Sequence, residues 1–377
     1  MLPCKENPFI LLDQWRKINL EGIQGVTGKT RISSFSSTFH DYSELGGRFT
    51  NKHQKLRDFH DMENIFITGA TGLIGSQVVN LILQRGLTIT CLVRPGSDTS
   101  RLPDVQIAEG DIMDSSSLLK GMRGASHVIH LAAMGDWKNI DNPITLKGIV
   151  EGTRNVLSVA RECGISRFLY VSSAAAINGT LQPRLLDETS PFELPRKGFS
   201  YAHAKREAET ICQDFLREGL PVVIVNPAET FAPDDHRLTT ATNLLRFTKG
   251  RIAWATRGGT GVVHAGDVAT GILAALERGH PGQRYILSAE NITFAAMAGL
   301  VRETAGLPVK IMAPPQVLLR IIAILESSIG LSHGLTPGMI PYIRRYWFMD
   351  SQKARQQLGW RPRAGSKAII ETIRSFL

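Results

Sequence analysis

Two side chains four residues apart, Tyr201 and Lys205, carry the sharpest chemical signal in this chain. On a helix that spacing puts them on one face, about one turn from each other. A free phenol has a pKa of about 10 and is a poor base at neutral pH, so it needs a neighbouring cation to favour its ionised form. The Lys205 ammonium supplies that cation. A second signal is the run Thr68-Gly69-Ala70-Thr71-Gly72-Leu73-Ile74-Gly75. Gly69 allows a tight turn, Gly72 lets a backbone approach a pyrophosphate, and Gly75 permits close packing of a helix on a strand. The N–H groups that open such a helix point at anionic charge. Downstream, Cys91-Leu92-Val93-Arg94 ends in a guanidinium where an acid would otherwise hold ribose hydroxyls. Arg94 suits a 2′-phosphate, so NADP(H) is favoured over NAD(H), with Asp98 as the rival ribose partner.

These groups need a scaffold, and the pattern after residue 63 provides one. Short β-branched runs at 64–68, 88–93, 105–108, 127–131, 167–172 and 222–226 alternate with helical stretches at 73–84, 115–122, 149–163 and 202–218. Asp114 can cap the second of these helices, and Gly86 follows the first as a stop. Continuous apolar strands between helices imply a doubly wound parallel α/β sheet covered on both faces. The glycine run then lies in a strand-to-helix turn, and Tyr201 opens a long helix. Beyond residue 226 the alternation becomes irregular, and a final helix is expected near 366–376. The expected division is an N-terminal extension at 1–61, a dinucleotide-binding domain at 62–230, and a smaller irregular substrate-binding lobe at 231–377 with segments returning to the sheet.

Gly-x-x-Gly-x-x-Gly opening with Thr-Gly-Ala-Thr-Gly, Gly110-Asp111-Ile112, His130-Leu131-Ala132-Ala133, Gly152-Thr153-Arg154-Asn155, Tyr170-Val171-Ser172-Ser173 and Tyr201-x-x-x-Lys205 occur in that order. Together they resemble the extended short-chain dehydrogenase/reductase family, over Ile65 to roughly Phe376. The resemblance implies a Rossmann fold and hydride transfer between a secondary alcohol or ketone and a nicotinamide, with Tyr201 passing the proton and Lys205 also holding the nicotinamide ribose. It implies that Ser173 orients the reacting oxygen; the loop to Gly179 is one residue longer than the common spacing, so Ser172 and Ala174 compete for that place. It further implies cofactor contacts from Gly69, Thr71, Gly72, Leu73, Ile74, Gly75, Asp111, Ile112, Ala132, Ala133, Lys205 and Pro227. Two departures stand out. Ile149 replaces an asparagine often found there, and Ala174-Ala175 replaces the Asp-Glu pair of sugar-nucleotide dehydratases, which removes the acid and base of an elimination. Asn226-Pro227, Arg94 and Tyr285-Ile-Leu-Ser look closest to the dihydroflavonol-reductase and 3-beta-hydroxysteroid-dehydrogenase-like branch. A sugar-nucleotide epimerase with retained cofactor and a non-catalytic dinucleotide binder are the alternatives; retention of Tyr201 speaks against the binder.

Composition narrows the rest. A length of 377 residues with 43% hydrophobic content sustains a real core. The net charge of +9 is scattered and accompanies no nucleic-acid motif, which argues for anionic small-molecule ligands. Cys4, Cys91, Cys163 and Cys212 are far apart, with no metal-ligand spacing, and read as reduced thiols of a cytoplasmic protein. The apolar stretch 311–331 contains prolines, Arg320 and Glu326, so no transmembrane segment is expected. A homodimer is left open. Residues 1–61 read as a mobile extension: Gly22 to Gly28 is one residue too long for a phosphate loop, acids argue against a transit peptide, and Met62 would serve as a start. His130, His203 and His264 are assigned no role, and Trp137 and Trp254 are candidates to line a substrate pocket.

Overall fold

The computed structural model describes residues 64–132, 140–314 and 337–377. The extension 1–61, Ala133, Trp137 and most of the apolar stretch 311–331 lie outside the described residues. Seven strands, β1 (Asn64–Thr68), β2 (Thr88–Val93), β3 (Gln106–Glu109), β4 (His127–His130), β5 (Arg167–Val171), β6 (Val222–Pro227) and β7 (Arg284–Leu287), form one sheet in the order 3-2-1-4-5-6-7. Every neighbouring pair is parallel. This is the Rossmann-type α/β fold expected, and the order reverses between β1 and β4, the switch point at which ligands of such sheets bind.

The alternation of side chains along each strand builds two cores. Ile65 and Ile67 of β1 face one side with Val78, Val79 and Ile82 of α1 (Leu73–Gln84) and Val268 and Ile272 of the later helix Ala265–Arg278. Phe66 faces the other side with Leu118 of α2 (Ser115–Met122), Val156 of α3 (Pro143–Glu162) and Ala208 of α4 (Ser200–Arg217). Asp114 caps α2 through Ser116 N–H, as the sequence implies. The helix expected at 149–163 starts six residues earlier, because Asn142 caps it and Pro143 fills its first position. Its opening turn carries no apolar signal of burial, since Ile144 is 77% exposed.

A second sheet is centred on Gly259–His264, which pairs with Glu290–Thr293, Tyr346–Met349 and Glu229–Phe231. Leu185–Leu186 joins it through Tyr346–Met349. Its own apolar cluster contains Phe231, Phe247, Phe294 and Ile369. No helix among the described residues is long and apolar enough to cross a membrane.

Candidate active site

The glycine turn is built by crowding on one side and openness on the other. Gly69 has φ +81°, a left-handed conformation that a side chain would strain, and a Cβ there would lie 2.8 Å from the Ala132 amide nitrogen. A Cβ on Gly75 would sit 2.1 Å from the Gly69 carbonyl oxygen. At Gly72 the nearest atom to an added Cβ is that same oxygen, at 3.3 Å, and nothing else is within 4 Å. Thr71, Gly72, Leu73 and Ile74 are half-buried, whereas Gly75 is buried. The turn therefore clamps β1 to α1 from within and leaves its Gly72 face free. Gly72 is the N-cap of α1 with no side-chain cap bond and no acid in the first turn, so the opening N–H groups stay available to an anion. These features fit a pyrophosphate.

Arg94 is exposed at the end of β2. Asp98 is occupied within its own turn, accepting from the Ser100 N–H at 2.9 Å and the Ser100 hydroxyl at 2.6 Å, and those bonds hold its carboxyl below the ordinary value. Asp111 accepts from the Met113 N–H at 2.8 Å. Ile112 fills the space over Gly152, where a Cβ would meet the isoleucine Cδ1 at 2.5 Å, and its carbonyl accepts from Asn155 Nδ2. Pro227 ends β6 beside Leu287 of β7. The glycine turn and Ala132 are thus brought together, as are Ile112 and the Gly152-Thr153 turn of α3.

The chemistry-bearing groups gather where β5 and β6 end against α4. Helix α4 begins at Ser200, so Tyr201 lies in its first turn and Lys205 one turn on. The Tyr342 hydroxyl accepts from Ala202 N–H at 3.3 Å and anchors that turn. The Tyr201 phenol is buried beside the Ser173 side chain; burial pushes its pKa up and the Ser173 hydroxyl pulls it back. Ser172, by contrast, has a buried hydroxyl with no hydrogen-bond partner among the described residues. Ala174 begins the short 3-10 turn that Ser173 caps through Ala175 N–H. Of the three rivals, the structure brings Ser173 to Tyr201.

Lys205 is buried, and its Nζ donates to the Val171 carbonyl at 3.1 Å and to the Tyr170 hydroxyl at 3.4 Å. Burial lowers its pKa from 10.5 to about 8, while the Glu209 carboxylate on the same helix face works to keep it charged. The expectation that Lys205 draws the phenol's pKa downward meets a different balance here: burial raises Tyr201, the opposing pull comes from the Ser173 hydroxyl, and the phenol stays above its ordinary value. Glu209 is itself buried, paired with Arg284 at 3.2 Å and Arg206 at 3.3 Å, and it accepts from Asn226 Nδ2 at 2.6 Å. The same Asn226 nitrogen donates to the Ser173 carbonyl, tying the serine loop to α4.

Sequence reasoning missed Tyr170, Thr153, His130 and the Glu209–Asn226 link as parts of this site. Their presence in the family-like motifs on β4, α3, β5 and β6 was the signal that could have found them. Among the described residues no cluster of His, Cys, Asp and Glu could hold a metal ion.

The comparisons point the same way. The model of the NAD dependent epimerase/dehydratase family matches residues 65–288. A putative dihydroflavonol 4-reductase of Synechocystis sp. is 29% identical over 322 residues, covering 82% of this chain and 94% of that protein. A 4-hydroxy-2-methyl-3-oxo-4-farnesyl-3,4-dihydroquinoline-1-oxide ketoreductase of Stigmatella aurantiaca is 26% identical, covering 82% of this chain and 95% of its own. The crystal structure of gox2253 superposes with a TM-score of 0.70 at 31% identity, covering 83% of this chain and 98% of that one.

Proposed function

The chain belongs to the NAD-dependent epimerase/dehydratase family, the extended short-chain dehydrogenases/reductases, and is an oxidoreductase; from that premise we propose that it interconverts a secondary alcohol and a ketone with Tyr201 as proton carrier and NADP(H) as the favoured dinucleotide. NAD(H) is the coarser alternative that the family name itself carries. The bound dinucleotide supplies the hydride donor or acceptor. The first turn of α1 would hold its pyrophosphate, and Arg94 would pair with a 2′-phosphate. Asp111 and Ile112 bound the adenine side, Ala132 and Pro227 line the channel, and the expected contribution of Ala133 falls outside the described residues.

Tyr201 gives its proton to the carbonyl oxygen in reduction and takes it back in oxidation. Burial keeps the phenol protonated at rest, which readies it as a donor. Ser173 donates to the same oxygen and fixes its direction. Lys205 places a positive charge next to the ribose and the phenol, stabilising the phenolate left after proton transfer. A small-molecule ketone or alcohol is the substrate class; the division into a dinucleotide domain at 62–230 and a substrate lobe at 231–377 is part of the same proposal. The observation that carries the reading is the Ser173 hydroxyl set against the buried Tyr201 phenol, with buried Lys205 one helical turn away.

The test is Tyr201→Phe, assayed with NADPH and NADP+ against panels of ketones, steroids, flavonoids and nucleotide sugars. Dinucleotide affinity should stay within about twofold, because the lost hydroxyl addresses the substrate, while turnover falls about 100-fold or more. Turnover that survives the substitution removes Tyr201 from the chemistry. Release of oxidised or reduced cofactor with product distinguishes this reaction from epimerisation.

A further inference from the structure

Behind Lys205 lies a run of polar groups that the proposed chemistry does not use. Thr68 and His130 are fully buried, Thr153 and Tyr170 are each 1% exposed, and Lys205 is 2% exposed. The run crosses three strands and two helices. Thr68 Oγ1 meets His130 Nδ1 at 2.6 Å and His130 Nε2 meets Thr153 Oγ1 at 3.1 Å, while the Thr153 hydroxyl faces the Tyr170 phenol and opposes the rise that burial gives its pKa. Lys205 Nζ completes it at the Tyr170 oxygen. The His130 ring also stacks on Tyr170, with centroids 5.7 Å apart at 28°.

Only one placement of hydrogens satisfies every member. Thr153 must donate to the Ile149 carbonyl at 2.6 Å, so its oxygen accepts from His130 Nε2 and turns a lone pair toward the Tyr170 hydroxyl. His130 is then the Nε2–H tautomer, and Nδ1 accepts from the Thr68 hydroxyl. The Thr68 oxygen in turn accepts from the Ala132 N–H at 3.2 Å. With its proton committed to Thr153, the Tyr170 hydroxyl can offer Lys205 only a lone pair. Of the three hydrogens on an ammonium, Val171 and Tyr170 take two and leave the third for the site. A core of valine and phenylalanine would occupy the same volume without the desolvation cost of five polar groups.

We infer that Tyr170, oriented by Thr153 and His130, is a positioning residue that fixes the direction of the Lys205 ammonium and stabilises its charged form. The inference rests on the reading of Lys205 as the site's cation. It also accounts for how a chain with Ile149, which has no side-chain polar group, still anchors this region: the Ile149 carbonyl terminates the run. The ionisable groups around Lys205 are Glu209 and Cys212 on α4, Tyr201 one turn away on the same helix, Tyr170 on β5 and His130 on β4. Burial holds His130 neutral, at about 3, so it adds no competing charge to the run.

The test measures Lys205 itself. Trace acetylation with acetic anhydride across pH 6 to 11, resolved by peptide mass spectrometry, yields its titration curve with or without bound dinucleotide. The native protein should titrate near the value of about 8. Tyr170→Phe should move the inflection down by about one pH unit, the worth of one hydrogen bond to a charged donor. Thr153→Val frees the Tyr170 proton to turn toward Lys205 and should shift it the same way, whereas Thr153→Ser should restore it. In the active enzyme the alkaline limb of kcat should move with the lysine, at nearly constant KM. An unchanged Lys205 titration in both Tyr170→Phe and Thr153→Val, each verified as folded by circular dichroism, overturns the inference. If Tyr201→Phe keeps its turnover, the catalytic reading falls instead, and the lysine titration still decides the role of Tyr170.

Discussion

Gly72 and Gly75 sit three residues apart in one turn, and the structure assigns them different work that paired alanine substitutions can separate. In Gly75→Ala the new methyl would lie 2.1 Å from the Gly69 carbonyl oxygen and 2.9 Å from the Ala70 Cα, both backbone atoms that cannot swing aside. The strand-to-helix junction must open by about 1 Å. Overpacking of that kind costs about 3 kcal/mol at the upper end of the usual range, or a fall of roughly 6 °C in Tm for a protein of this size. In Gly72→Ala the methyl meets only one oxygen at 3.3 Å, and the φ of −81° suits alanine. The folding cost is then the N-cap preference alone, about 1 kcal/mol or less. The methyl projects, however, into the space assigned to the pyrophosphate. Loss of one or two charge-assisted bonds to the α1 amides corresponds to about 3 kcal/mol, a roughly 100-fold weaker Kd. Differential scanning fluorimetry and isothermal titration with NADP+ and NAD+ measure the two effects separately. Wild-type affinity in a folded Gly72→Ala protein would refute the placement of phosphate over that glycine.

Two further outcomes follow from individual side chains. Arg94→Ala should weaken NADP+ binding about tenfold while leaving NAD+ nearly unchanged; the low end of a charge-assisted contact applies because the guanidinium is exposed. Equal loss for both dinucleotides would remove Arg94 as the 2′-phosphate partner. Burial lowers His130 from 6.5 to about 3, so between those values the unfolded chain binds a proton that the folded protein refuses, and stability must fall as pH falls through that window. The slope is at most about 1.4 kcal/mol per pH unit. Urea unfolding at pH 4.5, 6 and 7.5 should show His130→Asn losing less stability on acidification than the parent, and parallel slopes would contradict the buried, neutral imidazole.

Features that depend on near neighbours in the chain can be read from the residues alone. The glycine turn was legible because tight turning, close approach and helix packing each demand glycine at a fixed offset. The first six strands were legible, within one or two residues; the inner ones read as apolar runs because they are covered on both faces, whereas β3 lies at the sheet edge and is mostly exposed. Tyr201 and Lys205 were legible because helical geometry turns a spacing of four into adjacency. The start of α3 was not, since its first turn sets an exposed isoleucine beside a buried threonine and so gives no apolar period. Tertiary structure decided the rest. Ser172 and Ser173 are neighbours just past the end of β5, and only the fold turns the second toward Tyr201 while the hydroxyl of the first is shut in the core. Thr68 lies 62 residues from His130, and His130 lies 23 from Thr153. Only the stacking of β1, β4 and β5 under α3 and α4 makes them neighbours. Burial, finally, is a property of the assembled fold: it moves Lys205 toward neutrality, raises Tyr201 and silences His130, and no list of residues contains the low-dielectric surroundings that do so.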